Sequence, residues 1–163
     1  MSPRATSVSG FLGACACMAA AAALSGCTST PQAPPDRDAE AKRFVAHPAF
    51  AAVYVYRPDF PASDDVWTQT VLWIDDRLIG QTLPGTYYRV DLRPGAHRIR
   101  ADGPDQGRLT LDTAAGQVYF VRLNVVAGSS RFALVDGETG RKENLVCCAL
   151  LENWAPGQRP FLR

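Results

Sequence analysis

The sequence predicts an all-β protein, a small antiparallel β-sandwich of about seven strands. Runs rich in β-branched and aromatic residues recur from residue 51 onward, beginning with Ala-Ala-Val-Tyr-Val-Tyr-Arg at residues 51–57. Turn residues such as Asp75-Asp76 and Pro94-Gly95 separate these runs. Short strands divided by turns at this spacing are typical of sandwiches and barrels.

The individual strands follow from the same pattern. Strand-like runs occupy residues 51–57, 70–75, 77–80, 87–92, 96–101, 108–112, 117–126 and 131–135. The apolar segment at residues 144–151 is expected to dock on the sandwich as a short helix or an edge strand.

The Pro94-Gly95 turn predicts a hairpin whose two strands pair directly. In that register Val90 faces Ile99, and the apolar residues of both strands share one side. The other side then carries three arginines, a set that fits an anionic group on a partner or ligand: Arg89, Arg98 and Arg100. The alternative is that solvent or nearby aspartates relieve the repulsion between these like charges.

Residues 1–26 are expected to be a secretion signal. Arg4 precedes an uncharged apolar run at residues 11–23, which is too short to span a bilayer. The run Leu24-Ser25-Gly26-Cys27 follows and resembles the lipobox of bacterial lipoproteins. The resemblance implies that the first three of these residues are recognised by the signal peptidase. It also implies that Cys27 carries acyl chains such as palmitate, which together anchor the mature protein in a membrane.

The residue after the cysteine bears on localisation. Position 28 is threonine, and aspartate at this position often retains lipoproteins in the inner membrane. By resemblance to that sorting rule, we expect an outer-membrane lipoprotein that faces the periplasm, rather than one of the inner membrane. Residues 27–47 predict a lipidated, proline-rich tether, and residues 48–163 predict the sandwich domain.

The charge and the cysteine content of the mature chain limit the kinds of partner and site that it can have. Removal of residues 1–26 takes away Arg4 and leaves 16 basic and 16 acidic residues, so the mature chain is formally neutral. A neutral domain argues against nucleic acid as a partner. Beyond Cys27 the mature chain has only the adjacent Cys147 and Cys148. We expect free thiols or packing residues there, without a vicinal disulfide.

The usual catalytic motifs are missing from the sequence. It has no Gly-x-Ser-x-Gly elbow, no phosphate-binding glycine loop and no His-Glu-x-x-His zinc motif. His97 shares its predicted strand face with apolar residues, so we expect it to be in the core or half-buried. The sequence therefore predicts no enzyme, no metal site and no cofactor. Trp67, in a predicted loop, is expected to be an exposed contact residue.

Five short motifs resemble those of a bacterial lipoprotein family known as domain of unknown function 2846 (DUF2846). They are Val-Tyr-Val-Tyr-Arg-Pro at 53–58, Trp-Ile-Asp-Asp-Arg-Leu-Ile-Gly at 73–80, Tyr-Arg-Val-Asp-Leu-Arg-Pro-Gly-Ala-His at 88–97, Gly-Gln-Val-Tyr-Phe-Val-Arg at 116–122 and Leu-Val-Asp at 134–136. The middle motifs are also similar to PEGA-type surface β-sandwiches. The resemblance implies a small sandwich on a lipid tether and implies no reaction.

These observations lead to one main expectation and one alternative. The main expectation is a non-enzymatic, membrane-anchored interaction or structural module of the bacterial cell envelope. Its partner would be an envelope protein or an anionic envelope component. The alternative is a periplasmic β-sandwich that binds a small anionic ligand or a glycan.

Overall fold

Two sheets, one of five strands and one of four, carry the fold. The computed structural model describes residues 30–59, 70–102, 107–126 and 129–152. The elements are α1 (Pro35–Ala41), β1 (Ala51–Arg57), β2 (Thr70–Ile74), β3 (Arg77–Thr82), β4 (Thr86–Leu92), β5 (Gly95–Asp102), β6 (Arg108–Thr113), β7 (Val118–Val126), β8 (Ser129–Val135), α2 (Gly137–Cys147) and β9 (Ala149–Leu150). The strand orders are β8-β7-β1-β4-β9 and β3-β2-β5-β6.

The predicted fold class, an all-β sandwich with a short C-terminal helix, is confirmed. Nine strands occur among the described residues, compared with the prediction of about seven. Most neighbouring strands are antiparallel, but β1 pairs with β7 and β4 pairs with β9 in parallel. Each parallel pair joins strands that are far apart in sequence, as parallel pairing requires.

The strand β1 lies at the centre of the five-stranded sheet and is buried along its whole length. Its residues Val53 and Val55 point between the sheets and pack with Leu72, Ile74 and other apolar side chains of the sandwich core. The alternate residues of β1 point to the opposite face. Since both faces of β1 are covered, the strand has an almost continuous apolar sequence.

The second face of the five-stranded sheet packs against the helices and the segment that leads into β1. We call the cluster there the tyrosine layer; it consists of Tyr54, Tyr56, Tyr87, Phe44 and Phe120. Rings of this layer meet at centroid distances of 5.1 to 5.9 Å. The molecule is therefore a sandwich with a third, helical layer on one sheet.

The prediction of a flexible tether over residues 27–47 is wrong from residue 30 onward, where the chain is part of the fold. Thr30 is 4% exposed, and the backbone N–H of Ala33 donates to Leu150 O at 2.8 Å. Ala41 and Phe44, at the end of α1 and just after it, are buried in or beside the tyrosine layer. The proline-rich composition suggested a tether, but these two apolar side chains supply the cover that the second face of the sheet needs.

The expected docking of residues 144–151 takes both of the forms considered. Helix α2 ends at Cys147, and β9 follows at once beside β4. The expected absence of a vicinal disulfide is wrong, because a disulfide joins Cys147 to Cys148. The pair lies where the backbone changes from helical to extended, with Cys148 at φ −132° and ψ 141°.

The hairpin predicted around Pro94-Gly95 is also wrong. The strand β4 pairs with β1 and β9, whereas β5 pairs with β2 and β6, so the turn connects the two sheets. Val90 and Ile99 both point into the sandwich core, as expected, but from opposite sheets. By contrast, the turn at Asp75-Asp76 does close a hairpin, with φ values of 50° and 61° at the two residues. None of the described helices is both long and apolar enough to cross a membrane.

Candidate functional site

The residues predicted to form the anchor lie outside the described part of the chain. They are Leu24, Ser25, Gly26 and the lipidation candidate Cys27. Trp67, the predicted exposed contact, also lies outside it. The described chain begins at Thr30, whose hydroxyl is 3.5 Å from Gln81 O in β3. Next to it, Pro31 O accepts a hydrogen bond of 2.9 Å from the backbone of Glu152.

Arg89 faces the helical layer. Its Nη2 donates to Val45 O at 3.0 Å, and its Nε is 3.3 Å from Asp91 Oδ1. The guanidinium also lies 5.9 Å from the centroid of the Tyr54 ring. Burial raises the pKa of Asp91 above its ordinary value, and Arg89 beside it acts in the opposite direction. Arg89 therefore compensates a buried carboxylate inside the fold.

Arg98 and Arg100 lie on the other side of the molecule, on the outer face of the four-stranded sheet. Arg98 Nη2 is 2.6 Å from Asp76 Oδ2. Arg100 pairs with Asp102, and its Nε lies 3.9 Å from Asp76 Oδ1. The predicted surface of three arginines is therefore wrong. The prediction placed β4 and β5 side by side, whereas they belong to opposite sheets.

We call this outer face of the four-stranded sheet the open face, because Arg98, Thr110 and other residues on it are exposed and the described helices α1 and α2 pack on the five-stranded sheet. One row of side chains crosses all four strands there. Direct strand neighbours in this row are Leu78, Trp73, Arg100 and Arg108. The Arg100 guanidinium lies 4.4 Å from the centroid of the Trp73 ring, within the range of a cation–π contact.

The charges of the open face are largely compensated. Asp76 contacts both Arg98 and Arg100, and Asp102 contacts Arg100. A compensated surface attracts anions less than an isolated cluster of arginines does. The row is better described as an aromatic ring stacked by a guanidinium, next to the apolar Leu78. The alternation of β2 contained this signal, because Leu72 and Ile74 are buried while Trp73 between them is half-buried on the opposite face.

His97 is half-buried, consistent with the expectation from the sequence. Its Nδ1 is 2.6 Å from Asp75 Oδ2, and its Nε2 is 2.7 Å from Arg93 O. The other carboxylate oxygen of Asp75 accepts from the backbone N–H of Arg98 at 2.9 Å. These bonds tie the β2–β3 turn to the start of β5. Since both ring nitrogens are engaged, this histidine–aspartate pair has a structural role in the described chain.

A polar network holds α2 on the five-stranded sheet. Tyr56 donates to Glu143 Oε2 at 2.5 Å, and Arg122 Nη1 donates to Glu143 Oε1 at 3.0 Å. Burial, together with the hydrogen bond to Glu143, raises the pKa of Tyr56 above its ordinary value. This network left no signal in the sequence, because nothing in local spacing links Tyr56 in β1 to Glu143, 87 residues later in α2. Within the described ranges, no three or more His, Cys, Asp or Glu side chains cluster in a way that could hold a metal ion.

Comparison with known proteins agrees with the resemblance seen in the motifs. Residues 49–138 match the family described as "Protein of unknown function (DUF2846)". The chain is also similar to an "Uncharacterized protein" of Haemophilus influenzae, with 27% identity over 125 residues that cover 73% of each chain. The match spans β1 through β8, which make up the four-stranded sheet with its open face and four of the five strands of the other sheet. The chain belongs to the DUF2846 family.

Proposed function

We propose that this protein is a non-enzymatic lipoprotein of the bacterial cell envelope, anchored through acyl chains on Cys27, with an interaction or structural role. The observation that carries the proposal is the run Leu24-Ser25-Gly26-Cys27 directly after a charged and then apolar leader. Thr28 in place of aspartate favours the outer membrane and a domain that faces the periplasm. Several acyl chains on one residue provide stable anchoring, since each buried methylene contributes about 0.8 kcal/mol.

The experiment that tests the anchor is intact mass spectrometry of protein extracted from membranes. We expect a mature chain that begins at Cys27 and carries acyl chains, whereas Cys27→Ala should accumulate as the uncleaved precursor. Cys15→Ala is the matched control, because it removes another leader cysteine outside the lipobox-like run. A mature terminus elsewhere, or a mass without acyl chains, refutes the proposal.

The open face is the surface that we propose for contact with an envelope partner. It combines Trp73, stacked by Arg100, with exposed side chains such as Arg98 and Thr110. Aromatic and arginine side chains are enriched at interfaces between proteins. A glycan is the second candidate, because the exposed side chains of Arg98 and Thr110 on this face can form hydrogen bonds with sugar hydroxyls. Because the charges of the open face are compensated, a small anion is a weaker candidate ligand than a glycan.

Co-purification from detergent-solubilised membranes separates these candidates. A stoichiometric protein that is recovered with the wild type and lost with Arg98→Glu supports the protein partner. A bound carbohydrate that is lost in the same variant supports the glycan. Lys142→Glu, an exposed charge reversal on α2, is the matched control and should retain the partner. Equal recovery from both variants would show that the open face is not the contact surface.

A further inference from the structure

The fold begins much closer to the proposed lipid than the sequence predicts. Thr30 is already buried against Gln81 O. Gln32 forms a bridge with Leu151, and Ala33 is hydrogen-bonded to Leu150. Residues 30–33 therefore extend the five-stranded sheet beyond β9 and lie beside β3. We call this side of the molecule, made of residues 30–33, β9 and β3, the anchor edge.

The covalent distance from Cys27 to this edge is short. Three residue steps separate Cys27 from Thr30, and a fully extended chain spans at most roughly 3.6 Å per residue, which gives about 11 Å. A flexible tether over residues 27–47 would instead have a root-mean-square length of about 25 Å. Such a tether would allow the domain to turn any side toward the membrane, whereas a connection of about 11 Å does not.

We propose that the anchor edge lies against the lipid surface in which the acyl chains of Cys27 are inserted, so that the domain is held on the membrane in one orientation. The inference rests on the proposed function, because it requires the lipid on Cys27. The charges at this edge are compatible with head groups. Glu152, which is hydrogen-bonded to Pro31, pairs with Arg37 at 2.5 Å. Its carboxylate is therefore compensated, which weakens its repulsion of anionic lipids.

The strand order then determines which edge of the two sheets lies farthest from the membrane. The strands β8 and β6 form the opposite edge of the two sheets, and they meet where the backbone N–H of Gly107 donates to Ser130 Oγ at 2.9 Å. Four strand spacings of roughly 4.8 Å separate β9 from β8, which places this opposite edge about 19 Å further from the lipid. Both sheets then contact the membrane with one edge, and the open face is oriented roughly perpendicular to the membrane plane, where periplasmic partners can reach it.

Quenching by head-group nitroxide lipids tests this orientation. A fluorophore is attached through an azide side chain at Gln32 on the anchor edge or at Thr110 on β6, both exposed positions. The acylated mature protein is placed in vesicles of phosphatidylethanolamine and phosphatidylglycerol that contain the nitroxide lipid. We expect quenching at residue 32 to exceed that at residue 110 by about twofold or more, because contact quenching falls off within the roughly 19 Å between the edges.

A linker insertion identifies the cause of any difference. Twelve Gly/Ser residues inserted after Thr28 add a flexible chain of about 20 Å and should make quenching at the two positions equal. If the acylated wild type shows equal quenching, the inferred orientation is wrong while the proposed lipoprotein stands. If the difference survives the insertion, the anchor edge still lies against the lipid, but contacts of the edge itself and not the short connection hold it there. A protein without acyl chains in the intact mass overturns the proposed function, and the inference with it.

Discussion

In the described part of the chain, the two sheets differ in how many of their faces are covered, and this difference separates the part that stabilises the fold from the part that can vary. In the five-stranded sheet, every residue of β1 is buried, because the other sheet covers one face and the helical layer covers the other. In the four-stranded sheet, β2 alternates between buried and half-buried residues. Substitutions should therefore be costly in the tyrosine layer and nearly neutral on the open face, where a binding surface can change without unfolding the protein.

The largest expected effect is in the tyrosine layer. Tyr54 is fully buried, lies 5.1 Å from the Phe44 ring between centroids, and donates its hydroxyl to Ala41 O at 2.6 Å. Its burial also raises the pKa of the phenol to about 12. Tyr54→Ala should lower the free energy of unfolding by about 3–5 kcal/mol, because it removes a large ring and leaves a cavity.

Urea denaturation measures this loss, and Tyr54→Phe is the matched control. The control keeps the ring and removes only the hydrogen bond to Ala41, so it should cost about 0.5–1.5 kcal/mol. A loss below about 1 kcal/mol for Tyr54→Ala would place the tyrosine outside the core. Such a result would also mean that substitutions in the tyrosine layer are no more costly than those on the open face.

The next largest effect concerns the contact of α2 with the same layer. Gly140 lies so close to β7 that an added Cβ would be 2.3 Å from Phe120 Cγ. Gly140→Ala should therefore destabilise the protein by about 1–3 kcal/mol through overpacking, despite the better helix propensity of alanine. Gly137→Ala is the control, because no atom lies within 4 Å of the Cβ that it adds. Thermal unfolding compares the two, and equal melting temperatures would mean that α2 does not dock closely on β7.

A smaller and pH-dependent effect comes from Asp38 in α1. Partial burial tends to raise the pKa of Asp38, but hydrogen bonds from Lys42, Tyr87 and the backbone of Leu150 outweigh it and hold the pKa below its ordinary value of 3.8. A lowered pKa means that the stabilisation is present above the unfolded value and is lost as the pH falls through the folded value. Asp38→Asn should therefore cost about 1 kcal/mol at neutral pH, since solvent screens part of the interaction.

Denaturation of wild type and Asp38→Asn between pH 7 and strongly acidic pH tests this effect. The difference in unfolding free energy should stay constant down to about pH 5 and shrink at lower pH as the carboxyl becomes protonated. Asp36→Asn removes an exposed acid from the same first turn of α1 and controls for the helix dipole. Identical pH profiles for the two variants would show that the bonds of Asp38 add nothing beyond that dipole.

The strands could be predicted from the sequence, but their partners could not. Val90 and Ile99 were correctly assigned to the core face by alternation. Alternation shows which side of a strand is apolar and must be buried. That side can be buried equally well beside a neighbouring strand of the same sheet or against a strand of the opposite sheet. The Pro94-Gly95 turn does not distinguish the two arrangements, so the predicted arginine surface failed together with the predicted hairpin.

The helical layer, by contrast, left a signal in the sequence of β1. The run Val53-Tyr54-Val55-Tyr56 is large and apolar on both parities, which is the pattern of a strand that is covered on both faces. Such a strand requires a second cover, and Phe44, which precedes Val53 by nine residues, supplies part of that cover. The pairing of Cys147 with Cys148 left no such signal, because adjacency alone is compatible with thiols and with a disulfide.

The smallest expected effect is on the open face. Arg98 and Asp76 form an ion pair at 2.6 Å, with side chains that are 74% and 66% exposed. Exposed ion pairs contribute little to the free energy of unfolding, since water screens the attraction and both side chains lose conformational freedom. Arg98→Ala should therefore change the free energy of unfolding by less than about 0.5 kcal/mol.

A double-mutant cycle with Asp76→Ala isolates the pair itself. Asp76 has a positive φ of 61° that alanine tolerates less well than aspartate, so the single variant measures more than the lost charge. That backbone contribution cancels in the cycle, and the remaining coupling should be below about 1 kcal/mol. The corresponding cycle for Arg89 and Asp91 should give a larger coupling, because these side chains are only 18% and 9% exposed and their attraction is less screened. Equal couplings would mean that the two sheets do not differ in the way that their burial indicates.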